Sequence, residues 1–164
     1  DEASVWISQI LASLTPPQFI HDGALLAIGT GPGFPGIPLA FFFPNTHVTV
    51  LDSNDKKLAF ARHIKSLCNL SNLTVVHKRI EELPTIQQFD QIISRAFTNL
   101  NGMIECSLAF LKPDGEILAM KGAQAEIEIV EAQSTHGNCM IRLHKLPHIV
   151  DEQRMLAVVK QRSK

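Results

Sequence analysis

Short apolar runs alternate with stretches of helical periodicity along most of the chain. Ala3, Ile7, Ile10, Leu11 and Leu14 recur on one face and predict a helix over 3–14, stopped by Pro16-Pro17. Ala24-Leu25-Leu26-Ala27-Ile28 reads as a strand that runs into the loop Gly29-Thr30-Gly31-Pro32-Gly33-Phe34-Pro35-Gly36. A brief helix follows at about 36–42, closed by Pro44-Asn45, and then a β-branched strand, 47–51, that ends at Asp52. Leu58, Ala61, Ile64 and Cys68 mark a helix of about 55–68, with Ser53 or Asn54 as its cap. The same alternation gives a strand at 73–77, a short irregular helix around 80–88, a strand at 90–94 and a helix of about 99–111. Lys112-Pro113-Asp114-Gly115 reads as a turn before a strand at 116–120, and 123–133 as a helix. Two strand-like runs, about 138–148 and 153–161, close the chain without a helix between them.

Strands and helices that alternate in this way build βαβ units with a mainly parallel sheet between two helical layers. The last two strands predict an antiparallel hairpin on one edge. The expected architecture is a single three-layer α/β domain over 1–164, with 1–22 a partial N-terminal helical segment and 23–161 a Rossmann-like core.

Composition narrows the classes. The 164 residues are 45% apolar and 19% charged, which excludes an intrinsically disordered chain. A formal charge of −1 excludes a uniformly basic nucleic-acid coat but leaves room for a local patch. No apolar stretch is long enough to span a bilayer; Phe34 to Phe43 is cut by Pro35, Gly36 and Pro38. The N-terminus shows no basic segment followed by an apolar run, so no secretory signal is read. Cys68, Cys106 and Cys139 stand far apart and odd in number, which suits a reducing cytoplasm. The seven histidines show no metal-ligand spacing, so no metal is expected.

The glycine loop carries the candidate chemistry. In open parallel sheets, ligands bind outside the carboxyl ends of the strands. Gly29, Gly31, Gly33 and Gly36 let a ligand approach the backbone closely, while Pro32, Pro35 and Pro38 stiffen the loop. Asp52, at the end of the second strand, can accept hydrogen bonds from both hydroxyls of a ribose, which favours an adenosine-type ligand. Gly31, Gly33 and Gly36 also satisfy the dinucleotide spacing GxGxxG. However, Phe34-Pro35 occupies the place of the diphosphate, and proline removes a donor there. S-adenosyl-L-methionine has no diphosphate, and the terminal hairpin suits the methyltransferase version of this sheet. The residues tip toward methyl transfer.

Residues from about 24 to 160 resemble the glucose-inhibited division protein B family, bacterial methyltransferases acting on guanine N7 of small-subunit ribosomal RNA. The resemblance rests on Ile28-Gly29-Thr30-Gly31-Pro32-Gly33-Phe34-Pro35-Gly36-Ile37-Pro38-Leu39 and Leu51-Asp52-Ser53. Arg79-Ile80-Glu81-Glu82, Ser94-Arg95-Ala96-Phe97 and Met120-Lys121-Gly122 complete it. It implies a class I S-adenosylmethionine-dependent methyltransferase fold, seven-stranded, with the last strand inserted antiparallel. It also implies that Gly29 and Phe34 touch the cofactor, with Ile80 and Glu81 beside the adenine and Arg95 closing the pocket. Arg79 and Lys121 match basic positions expected near the RNA or the target base. The cofactor-binding set is then Gly29, Gly31, Gly33, Phe34, Asp52, Ile80, Glu81 and Arg95, with Arg95 and Lys121 as catalytic candidates. The implied partner is small-subunit ribosomal RNA or the small ribosomal subunit, bound by a monomer.

Two departures stand out. The family opens its first motif with an acidic residue where this chain has Ala27, and its upstream Arg-His-x-x-Asp-Ser pattern corresponds here to Ser8-Gln9-Ile10-Leu11-Ala12-Ser13. A relative that binds cofactor or RNA without turnover is therefore one alternative. A nicotinamide-dependent oxidoreductase is another, carried by the glycine spacing alone. Arg95 also reads as a salt-bridged strand-end arginine, and Lys121 as a solvated lysine. Local positive charge for RNA lies at Lys56, Lys57, Arg62, His63 and Lys65, and in the tail at Lys160, Arg162 and Lys164.

Overall fold

A computed structural model describes residues 17–30, 33–95, 98–146 and 154–162. The strands are β1 (Gly23–Ile28), β2 (Thr46–Asp52), β3 (Leu73–His77), β4 (Phe89–Ser94), β5 (Leu111–Lys121), β6 (Cys139–Lys145) and β7 (Met155–Gln161). The helices are α1 (Gly36–Phe42), α2 (Asp55–Cys68), α3 (Leu100–Ser107) and α4 (Ala125–Thr135), with 3-10 turns at Pro17–Phe19, Ile80–Glu82 and Leu108–Phe110. The expected helix over 3–14, the 8–13 segment, Gly31, Pro32, Ala96, Phe97 and Lys164 lie outside the described residues.

All seven strands share one sheet in the order β3-β2-β1-β4-β5-β7-β6. β1 to β5 pair in parallel and β6 and β7 form the antiparallel hairpin that the apolar runs predict, with β7 inserted between β5 and β6 as the family resemblance implies. Chain order reverses direction at β1, with β2 and β3 to one side and β4 and β5 to the other. That reversal opens the crevice in which such sheets bind ligands.

The pleat divides the core. Leu26 and Ile28 of β1 join Ile117 and Ala119 of β5 on one face, covered by Leu100, Met103 and Ile104 of α3. Leu25 and Ala27 join Leu118 and Met120 on the other, covered by Ile37 and Leu39 of α1 and Leu58 and Ala61 of α2. Successive strand residues thus bury opposite sides, and every central strand is covered twice. Gly36 explains how α1 lies so close: a Cβ there would fall 2.2 Å from Val50 Cγ1. At α2, Asn54 Oδ1 accepts from the Lys56 and Lys57 amides at 3.1 and 3.3 Å, and Asn69 ends the helix in the left-handed region.

Three local readings are corrected. The irregular helix expected at 80–88 is a single 3-10 turn, since Pro84 cannot continue it. The helix expected to run to 111 breaks after Ser107, because Leu111 is taken into the ladder opposite Phe89. Lys112 to Gly115 is no separate turn: it lies within β5, where pairing skips from Phe89–Leu111 to Gln91–Glu116. Pro113 has no amide to donate there, so the ladder bulges.

Candidate functional site

The residues that follow β1, β2 and β3 meet at the carboxyl edge of the sheet. Gly29 takes φ +60, which turns the chain sharply out of β1, and its amide still donates to the Leu51 carbonyl at 3.0 Å. Asp52 closes β2; its Oδ1 accepts from the Asn54 amide at 2.8 Å, and its carbonyl accepts from the Lys78 amide at 3.1 Å. His77 Nε2 donates to the Ser53 carbonyl at 3.0 Å. These last two bonds tie the segment after β3 to the segment after β2. They bring Ile80 and Glu81 beside Asp52, 28 residues and more away in sequence.

The result is a cleft of about 380 Å³ lined by Ile28, Gly29, Leu51, Asp52, Ser53, Lys57, Lys78, Arg79, Ile80 and Glu81. Five predicted residues are therefore gathered: Gly29, Asp52, Arg79, Ile80 and Glu81. Ile80 is buried among Ile28, Leu51 and Leu83 and offers an apolar floor, while Asp52 is half-buried and Glu81 exposed. An apolar floor, a ribose-reading carboxylate and a close backbone approach at Gly29 fit a nucleoside.

Gly33 and Phe34 are buried and do not line this cleft. The Gly33 and Phe34 amides both donate to the Thr30 carbonyl at 3.1 Å, and the Ile37 amide donates to the Gly33 carbonyl at 2.7 Å. Three amides around the start of α1 are thus engaged within the protein, and Pro35 and Pro38 carry none, which disfavours a dinucleotide and suits a sulfonium ligand.

Arg95 follows β4 with an exposed side chain and forms no ion pair among the described residues. Lys121 lies at the end of β5, but its ammonium turns inward. Its Nζ donates to the Thr98 carbonyl at 2.7 Å and pairs with Glu128 Oε1 at 3.1 Å, the two side chains being 10% and 17% exposed. That geometry is not a solvated lysine's. Glu128 escaped the sequence reading, since nothing in α4 marks it as a partner for a lysine one strand end earlier. Lys78 also lines the cleft unread, although it adjoins the Arg79 motif; Lys57 and Ser53, read as RNA-facing charge and as a cap, line it too.

Of the cations expected to attract RNA, several are engaged within the protein. Arg62 pairs with Asp55 at 2.6 Å and holds its carboxyl below the usual range. Lys65 donates to the Leu73 carbonyl, and Lys160 lies 3.6 Å from Glu116. Lys56, Lys57 and His63 remain exposed on α2. Burial pushes the Cys106 and Cys139 thiols up, so both stay protonated near neutrality. Among the described residues no cluster of His, Cys, Asp and Glu could hold a metal ion, and no helix is long and apolar enough to cross a membrane.

S-adenosyl-L-methionine fits the groups present. Its adenosine matches the cleft, and two buried hydroxyls without partners, Thr30 Oγ1 and Ser94 Oγ, stand at the ends of the neighbouring strands β1 and β4.

Comparison with known proteins agrees with this geometry. The ribosomal protein L11 methylase of Lactobacillus delbrueckii superposes with a TM-score of 0.73 at 14% identity, covering 94% of this chain and 77% of that one. Such a likeness shows the class I methyltransferase fold. In sequence, the ribosomal RNA small subunit methyltransferase G of Pectobacterium carotovorum is 35% identical over 160 residues, covering 96% of this chain and 77% of the relative. That of Cellvibrio japonicus is 47% identical over 106 residues, covering 65% of this chain and 48% of the relative. The profile of the rRNA small subunit methyltransferase G (GidB) family matches residues 1–157. On that match, and on a cleft built from the same motif blocks, the chain belongs to the rRNA small subunit methyltransferase G family.

Proposed function

We propose that this chain transfers a methyl group from S-adenosyl-L-methionine to N7 of a guanine in small-subunit ribosomal RNA. The observation that carries the reading is the meeting of Gly29, Asp52, Ile80 and Glu81 in one cleft at the strand-order reversal. The fold alone would leave the substrate open, since one neighbour of the same architecture is a protein methylase. Family membership supplies the ribosomal RNA.

The cofactor, when bound, supplies an electrophilic methyl group on a sulfonium. The chain's own residues hold and align. Asp52 accepts from the ribose hydroxyls, and Ile80 packs against the base with Glu81 beside it. Guanine N7 carries a lone pair and no proton, so its attack needs no general base. That agrees with the cleft, where no nucleophile–base pair stands among the lining residues. Catalysis then rests on alignment, which is worth about 7–11 kcal/mol in well-oriented reactions. Arg95, exposed beyond β4, and Arg79, on the cleft rim, hold the RNA or its target base. Lys121 acts at one remove, by holding the Thr98 carbonyl ahead of α3.

The test is transfer of labelled methyl to purified small ribosomal subunits that lack the modification. The expected product is 7-methylguanosine recovered from the digested RNA. Label found only in protein, or no label at all, would overturn the reading.

A further inference from the structure

The stretch from Asp55 to Arg79, which builds α2 and β3, holds six of the chain's 15 lysines and arginines but one of its 16 acidic residues. A chain of net charge −1 has thus gathered positive charge on one part of its surface. Charge segregated in this way makes a field that draws anions, which a face carrying both signs evenly does not. Part of that charge stands on a groove. Between α2 and β3, the outermost strand of the sheet, lies an open groove of about 730 Å³. Arg62, Lys65 and Ser66 line it from α2, at a spacing that sets them on one side of the helix. Ser71 adds a hydroxyl, and Leu70 and Val75 add apolar wall.

The bonds that Arg62 and Lys65 already make hold them in place without exhausting them. Asp55 takes one N–H of the guanidinium and the Leu73 carbonyl takes one of the ammonium, out of five and three. The Arg62–Asp55 pair is moreover exposed on both sides, and such pairs are weak enough to be shared with a phosphate. The groove also continues into the cleft. β3 places Val75 in the groove, and Lys78 reaches the cleft about 10 Å further along the chain. α2 likewise turns Lys57 to the cleft and Lys65 to the groove. A ligand that spans both must be long and anionic, with sugar surface for Leu70 and Val75, which describes a nucleic-acid strand. We infer that the groove between α2 and β3 holds the sugar–phosphate backbone of the ribosomal RNA beside the target guanine, with Arg62 and Lys65 on its phosphates. Contacts of this kind fix the register of the RNA and read no base. The inference rests on reading the chain as a ribosomal RNA methyltransferase, and adds to it a surface outside the cleft.

The test measures binding to protein-free small-subunit ribosomal RNA and to intact small subunits across a range of salt, together with methyl transfer to unmodified subunits. The double variant Arg62→Gln, Lys65→Gln is expected to bind the RNA about 10-fold more weakly near 0.1 M salt. Its plot of log affinity against log salt should be flatter by about 1.5–2, the slope of two lost phosphate contacts. In methyl transfer, KM for subunits should rise by a similar factor with kcat unchanged, as when binding common to ground and transition state is lost. Lys65→Gln also takes a donor from the Leu73 carbonyl, so a second variant adds charge and removes no bond. Ser66 and Ser71 are exposed, and Ser66→Glu, Ser71→Glu should weaken RNA binding by repulsion alone. Unchanged RNA affinity and salt slope in both variants would overturn the inference. Weaker binding to intact subunits with RNA binding unchanged would also overturn it, and give the groove to a ribosomal protein. A wild-type chain that bound neither the RNA nor the subunits would bring down the methyltransferase reading itself, and this inference with it.

Discussion

Lys121 Nζ sits 3.1 Å from Glu128 Oε1, and that same oxygen accepts the Leu100 amide at 2.9 Å. One carboxylate on α4 thus joins the end of β5 to the start of α3. The lysine adds the Thr98 carbonyl to the knot. A charge that sequence alone offers to RNA is here engaged with Thr98 and Glu128, at the approach to α3.

Removing one partner of this pair should cost more than removing both. Lys121→Met leaves a mostly buried carboxylate without its cation, and a loss of about 1–3 kcal/mol is expected in urea denaturation. The double variant with Glu128→Gln should lose less than the two single changes together. RNA affinity at fixed salt, measured on the folded fraction, should stay near wild type. A large loss of RNA affinity with unchanged stability would return Lys121 to the RNA-facing role.

Arg95 is the contrasting case, exposed and without an ion pair among the described residues. Arg95→Ala should leave stability within about 0.5 kcal/mol, as surface changes do. Methyl transfer should fall roughly 100-fold, the scale of lost charge-assisted contacts. Full activity in the variant would remove Arg95 from the account.

At Gly36 the added methyl group of Gly36→Ala would meet Val50 Cγ1 at 2.2 Å, with Ala27 and Val48 behind it. The helix must move away from the sheet. A loss of about 1–3 kcal/mol is expected, read by chemical denaturation, as for other overpacked cores. An unchanged midpoint would show that α1 is looser than this packing implies.

Acid stability should depend on Asp90. The Ala24 amide donates to Asp90 Oδ2 at 2.8 Å and Lys112 lies 3.1 Å from it, and together they hold this carboxyl below its usual range. A depressed folded pKa stabilises above the unfolded value, near 4, and that contribution is lost as pH falls through the folded value. Asp90→Asn should therefore lower stability at pH 7 and flatten the decline below pH 4. A melting profile from pH 7 to 2.5 that runs parallel to wild type would contradict this.

Much of this was legible beforehand, and for a physical reason. Doubly covered strands such as Leu25 to Ile28 are apolar throughout, and the helix from Asp55 to Cys68 announces itself by period and cap. Gly29 and Asp52 were legible because each has a mechanical duty at a strand end. What the chain order hides is partnership across space. Lys121 finds Glu128 only after β5 and α4 pack, and the idle hydroxyls of Thr30 and Ser94 are ordinary residues until their burial is known. Gly33 carries a packing duty that chain order also hides: a Cβ there would meet Ile37 Cδ1 at 2.4 Å. Lys112 to Gly115 misled because turn-forming residues can also bulge a strand.

The central claim is that the cleft beside Asp52 seats an adenosyl donor, and calorimetric titration of the purified chain with S-adenosylhomocysteine tests it most directly. One saturable site is expected, weakened roughly 10- to 100-fold by Asp52→Asn, which can still accept the Asn54 amide but has lost its charge. No heat of binding up to millimolar ligand, or equal affinity in wild type and Asp52→Asn, would contradict the account.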